Sequence, residues 1–256
     1  MVEAFINEAN VPPVSGKIAG AIAPHAGYIY SGDIAGHTFK AIKENTNDFP
    51  TPETVVVLGV THSRSFPGVA LMDGSAIQTP LGITALDNES NLFLAHTSPL
   101  IRADYTPHQT EHSAENLVPF VQSALPEAQL VVALTGSHDN NAITGLAKSL
   151  DALSKEKRII VIASTDMLHS PDYELVTRTD KATLELVAAM DFSAVNAGWS
   201  YDHQIFCGIT PVLTTMAFAE KQGCGKGIIA AYKNSGDDFP ESRGEWVVGY
   251  GSAVFV

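Results

Sequence analysis

The sequence predicts one α/β domain with a mixed, mostly parallel sheet flanked by helices. Three observations lead there. Continuous β-branched and apolar runs alternate with stretches of helical period along most of the chain, the pattern of βαβ units. A chain of 256 residues suits one large α/β domain and buries a sizeable core without disulfides. The end of the chain, after Gly227, is richer in strand signals than in helix signals, which argues for a mixed sheet.

Strands are predicted at 17–23, 54–58, 129–134, 158–163, 227–233 and 246–255. The runs at 54–58 and 159–163 are apolar without interruption, as strands buried on both faces are. Helices are predicted at 32–43, 88–96, 114–125, 141–153, 173–190 and 209–221. Ser113 and Asp139 stand where N-caps belong, before Glu115 and Asn141. Pro126 and Gly223 stand where helices stop. Neither a repeat nor a low-complexity tract divides the chain, so 1–256 is read as a single domain.

Composition excludes several classes. The net charge is −13, and the 15 basic residues are scattered. Binding to a nucleic-acid backbone needs clustered cations, so nucleic acid is not an expected partner. Two cysteines, Cys207 and Cys224, do not make a disulfide scaffold. The first residues carry no basic segment and no long apolar run, and no stretch reaches membrane-spanning length. The expectation is a cytoplasmic protein without membrane contact. Nucleotide and serine-hydrolase chemistry lack support, because no G-x-G-x-x-G, Walker-type or G-x-S-x-G motif is present.

The informative residues sit where predicted strands end. The run 22–23 stops at Pro24 and delivers His25, with Gly27 to turn the chain. The run 55–58 delivers His62, and the run 159–163 delivers Asp166 and His169. Strand ends that point the same way meet along one edge of an open α/β sheet, where ligands bind. Glu111-His112-Ser113-Ala114-Glu115 opens a predicted helix, and capping does not account for Glu111-His112. Cys207 precedes Gly208-Ile209-Thr210-Pro211. A thiol at a helix start has a lowered pKa and becomes a better ligand or nucleophile. Two His with a carboxylate from Asp166, Glu111 or Glu115 would suit Fe(II). His25, His62 and Cys207 would suit copper among other metals, zinc included. Asp166 is placed to orient His169 for proton transfer. His96, His108, His138 and His203 fall in loops or helix ends and are given no role.

Read in order, these motifs resemble the Memo family, also called AmmeMemoRadiSam system protein B. The matching pieces are Ala23-Pro24-His25-Ala26-Gly27-Tyr28, Leu58-Gly59-Val60-Thr61-His62, Thr79-Pro80-Leu81-Gly82 and Glu111-His112-Ser113-Ala114-Glu115. They continue with Ser164-Thr165-Asp166-Met167-Leu168-His169, Cys207-Gly208-Ile209-Thr210-Pro211, Ser235-Gly236-Asp237 and Val248-Gly249-Tyr250. The resemblance implies a fold and pocket similar to the class III extradiol dioxygenases. There, two histidines and a glutamate hold Fe(II), and a cysteine takes the glutamate's place in Memo proteins. It implies His25, His62 and Cys207 as metal ligands, His169 as the acid–base histidine with Asp166, and His112 as a further pocket histidine.

Two functions are compatible with it. One is an iron- or copper-dependent oxidoreductase. The other is a non-catalytic protein that uses the same pocket for a peptide, metabolite or metal. The family name also implies AMMECR-type and radical-SAM proteins as functional associates. The chain departs from the family pattern at Ser63 and Leu117, where histidines are expected, and the family's aromatic N-terminal segment is expected to be missing before His25.

Overall fold

The longest apolar runs form the middle of the sheet. The computed structural model describes residues 1–256. Its first half contains α1 (Val2–Glu8), β1 (Gly20–Ala23), α2 (Tyr28–Asn45), β2 (Thr54–Val60), β3 (Val69–Leu71), β4 (Ala76–Thr79), β5 (Gly82–Ala85), α3 (Asn88–Thr97), β6 (Ile101–Ala103) and α4 (Val118–Ala124). Its second half contains β7 (Gln129–Thr135), α5 (Asn140–Leu153), β8 (Ile159–Ser164), β9 (His169–Ser170), α6 (Tyr173–Ala188), α7 (Phe192–Ala197), α8 (Ile209–Lys221), β10 (Gly227–Asn234), α9 (Ser235–Asp238) and β11 (Val247–Phe255).

The main sheet runs β10-β11-β1-β8-β2-β7-β3-β6, with β9 attached to β11, and β4-β5 form a separate hairpin. The four central strands, β1, β8, β2 and β7, are parallel. β11 lies antiparallel to both β1 and β10, and β3 antiparallel to β7, so the sheet is mixed. Side chains alternate between two helical layers, as strand geometry requires. Val56, Leu58, Val131, Ala133, Val161 and Ala163 point into a core shared with α5, α6 and α8. Val55, Val57, Leu130, Val132, Ile160 and Ile162 point into a second core shared with α1, α2 and α4. Each fully buried Val or Leu here is worth about 1.5–3 kcal/mol of transfer free energy.

Register places the site. Ala23 pairs with Ser164 and Leu58 pairs with Ala163. The residues just beyond, His25, Asp166 and His62, therefore leave the sheet at one edge.

The predicted elements are found with shifted ends. α2 begins at Tyr28 rather than Gly32, because Gly27 precedes it without a side-chain cap that the sequence could display. The helix expected at 114–125 is a 3₁₀ turn at Glu115–Leu117 followed by α4, with Pro119 in its first turn. Ser113 is not its cap. Its Oγ donates to the Val60 carbonyl and accepts from the Val60 N–H. Asp139 does cap α5, accepting from the Asn141 N–H. No helix is long and apolar enough to cross a membrane.

Candidate metal centre

His25 follows β1 and is 2% exposed. Its backbone N–H and that of Ala26 donate to Asp166 Oδ1 at 2.9 and 3.2 Å. Its Nδ1 lies 3.1 Å from Ser164 Oγ. Ser164 spends its only hydroxyl proton on the Ser113 carbonyl. Ser164 Oγ must then accept from His25 Nδ1–H, which leaves Nε2 as the free ring atom facing Cys207 Sγ at 3.4 Å.

His62 is fixed in the same way by another partner. Its N–H donates to Glu111 Oε2 at 2.6 Å and its Nδ1 lies 3.0 Å from Glu111 Oε1. Glu111 also accepts from the His112 and Ser113 N–H groups, each at 2.8 Å. Close approach makes this possible: a Cβ on Gly59, at the end of β2, would meet Ser113 Oγ at 2.6 Å and Ala114 at 2.9 Å. Burial alone would raise the Glu111 carboxyl. The donors from His62 and Ser113 outweigh it and hold the group well below the usual carboxylate range. A carboxylate accepting only N–H donors on both oxygens forces the proton onto His62 Nδ1 and leaves Nε2 free.

Cys207 lies two residues before α8. Its sulfur accepts from the Asp166 N–H at 3.3 Å, with Thr165 Oγ1 3.5 Å away. Ligand atoms of His25, His62 and Cys207 all lie within 4.8 Å of one another, although His25 and Cys207 are 182 residues apart. Charges reinforce the cluster. Burial pushes the Cys207 thiol up, but the two imidazoles override it and bring the pKa to about 5. Burial likewise pushes His25 down, and Cys207 with Asp166 reverses it to about 9. His62, held by Cys207 and then Glu111, rises to about 10. Without a metal these mutual attractions favour a thiolate facing protonated imidazoles.

His62, Glu111 and His112 form a second convergent group. Glu111 is committed to four N–H donors there, so it supports His62 rather than adding a ligand of its own. His112 is an exposed neighbour, its ring stacked 5.1 Å from that of His62.

Two cavities flank the centre. One of about 290 Å³ is lined by His62, Cys207, Arg64, His138, Trp199 and Tyr201. The other, of about 500 Å³, is lined by His112, Asp166, His169, Trp246 and Tyr250 among others. The predicted residues thus gather in one region, with His62 and Cys207 on one side and His112, Asp166 and His169 on the other. The orienting of His169 by Asp166 is not seen. No hydrogen bond joins them, and His169 Nε2 is buried without a partner beside Trp246. Register explains it: Asp166 leaves β8 next to His25 and serves that turn, whereas His169 is carried away by β9 to pair with Val248.

Sequence alone marks Glu111 only as an available carboxylate and gives Ser164, Trp246 and Tyr250 no individual role. His138, given no role, lines the smaller cavity, its ring 4.6 Å from that of Trp199. Of the two departures from the family pattern, Ser63 also lines the smaller cavity, while Leu117 is buried in the core with Val118 and Phe120.

Comparison with known proteins gives a consistent picture. The Memo-like protein family matches residues 1–254. A MEMO1 family protein of Methanopyrus kandleri is 32% identical over 249 residues, 93% of this chain and 83% of the relative. One from Methanobrevibacter smithii is 33% identical over 257 residues, 99% of this chain and 86% of the relative. The crystal structure of an uncharacterized protein from Escherichia coli K12 shares the fold at a TM-score of 0.56 and 12% identity, covering 94% of this chain and all of that one.

Proposed function

The chain belongs to the Memo-like protein family, and from that premise we propose a metal-binding protein that holds iron or copper between His25 Nε2, His62 Nε2 and the Cys207 thiolate. One observation carries this reading. Three ligand atoms from distant segments converge within 4.8 Å, and the other nitrogen of each imidazole is already tied, to Ser164 and to Glu111. Such outer partners fix ring orientation and tautomer at metal sites. The donor set fits the group: thiolate and imidazole suit copper, and zinc is the competing occupant. A bound iron or copper would supply a redox-active electrophile between the two cavities, which is the basis of a dioxygenase-like oxidoreductase function.

In that function Asp166 holds the His25 turn, and His112 and His169 are the groups placed to take or give a proton in the larger cavity. A second reading, binding without catalysis, draws on the lone position of His169: its ring lacks the carboxylate partner that a tuned acid–base histidine would have.

Metal content is the test. Anaerobically purified protein is stripped with chelator, refilled with Fe(II), Cu(I) or Zn(II), and analysed by element. His25→Ala and His62→Ala are expected to lose most bound metal, and His96→Ala, on the exposed face of α3, to keep it. Equal content in all three variants would sink the proposal. Oxygen uptake by the filled protein with candidate substrates separates the oxidoreductase from the binding protein.

A further inference from the structure

The larger cavity has a chemical character of its own. Asp166 is 5% exposed, lines the cavity, and engages only Oδ1 in hydrogen bonds. Its Oδ2 accepts no hydrogen bond, and the nearest charged group is His25 Nε2 at 3.9 Å. Glu241 adds a second carboxylate to the wall, and no Lys or Arg lines it. Lys233 is paired with Asp33 and Asp238, and Arg243 lies over the Tyr173 ring. Around these carboxylates stand aromatic rings. Tyr30 and Phe239 pack at 5.1 Å, and Trp246, 58% exposed, lines the same cavity. Burial, and then the Asp166 charge, push the Tyr250 hydroxyl up, so it stays a neutral donor. Asp166 thus presents a carboxylate oxygen without a hydrogen-bond donor to the cavity, and the electron-rich ring faces that line the same space attract cations.

We infer that this cavity takes a cationic organic ligand, a protonated amine carried on a flat apolar body, with the ammonium at Asp166 Oδ2 and the body against Trp246, Tyr30 and Phe239. The inference deepens the metal-site reading, because it names the class of molecule that would lie beside that centre. An anionic ligand of the same shape would bring its charge against two carboxylates with no Lys or Arg to receive it.

Three probes of one shape test it: 2-phenylethylammonium, 2-phenylethanol and phenylacetate. Binding is followed by calorimetry and by Trp246 fluorescence in a Trp199→Phe background, with metal-free and metal-filled protein at pH 8. The ammonium is expected to bind at least about tenfold more tightly than the alcohol, and the carboxylate more weakly than both. Asp166→Asn keeps an acceptor for the His25 and Ala26 N–H groups and should bring ammonium and alcohol to within about twofold. Glu241→Gln at the mouth should lose part of the preference without touching the His25 turn. Equal or tighter binding of phenylacetate to metal-free protein, no response of Trp246 to any probe, or a preference unchanged in both variants would overturn the inference. Metal content of the same samples keeps the readings apart. Charge preference without metal uptake removes the metal proposal alone, and stoichiometric metal without charge preference removes this one alone.

Discussion

At Glu111 four N–H donors meet one carboxylate, two from His62 and one each from His112 and Ser113. An amide there would turn a donor toward donors. Glu111→Gln is therefore expected to release His62 and weaken metal binding about 10–100-fold, read by competitive chelator titration; affinity within twofold of wild type would contradict its supporting role. Cys207 sets the proton balance. With its pKa near 5 and those of His25 and His62 near 9 and 10, the protons displaced by metal near pH 7.5 come from the imidazoles, not the thiol. Cys207→Ser removes the negative charge that keeps those rings protonated. Calorimetry in buffers of different ionisation enthalpy should show fewer protons released and weaker Cu(I) binding than in wild type. His25 and His62 were legible in the sequence because each follows the end of an apolar run, and Cys207 because it precedes a helix start. The supports were not, because Ser164 reaches His25 across 139 residues and Glu111 reaches His62 across 49, and such contacts are set by register rather than by neighbours in sequence.

Among the elements, α3, β2 and the entrance to β8 meet at Asp87. Its carboxylate caps α3 through the Ser90 N–H and binds Thr54 of β2 and the Lys157 ammonium at 2.8 Å. Burial would raise its pKa, but Lys157, Thr54 and Ser90 lower it from 3.8 to about 2. A depressed carboxylate adds stability above its unfolded pKa and loses it as pH falls through the folded value. Lys157→Met is expected to cost about 2 kcal/mol at pH 7, with the deficit shrinking as pH falls from 5 toward 2, measured by urea unfolding. A deficit independent of pH would assign the loss to packing. Long elements were readable for a physical reason: β2, β7 and β8 are buried on both faces, and α8 runs from Ile209 to Lys221 as its pattern predicts. The three-residue strands β3 and β6 were not, since neither holds a full alternation, and they exist because β7 offers β3 an edge. α1 and α7 are similarly too short for a helical period to stand out.

For the whole molecule, Asp180 on α6 is a fully buried acid whose protonation couples to folding. It is 0% exposed and packs so tightly on β11 that a Cβ at Gly249 would collide with its carboxylate. Burial raises it from 3.8 to about 7, against the pull of the Leu168 N–H and the Tyr232 hydroxyl. The folded chain then holds a proton that the unfolded chain gives up earlier, so this group's contribution is complete below about pH 4 and is lost as pH rises to about 7. Between pH 5 and 8 wild type is expected to lose roughly 2–3 kcal/mol more than Asp180→Asn, whose amide can keep both hydrogen bonds. Parallel losses in the two proteins would contradict the burial argument. The place of β1 between β8 and β11 has a consequence for synthesis. β1 pairs Gly20 with Val161 on one side and with Phe255 on the other, so its place in the sheet is filled only after these much later segments have been made. At ~5–20 residues per second, the 182 residues that separate His25 from Cys207 take roughly 10–40 s to emerge. During that interval the nascent chain carries His25 without Cys207, so the proposed site is incomplete until the later segment has been made.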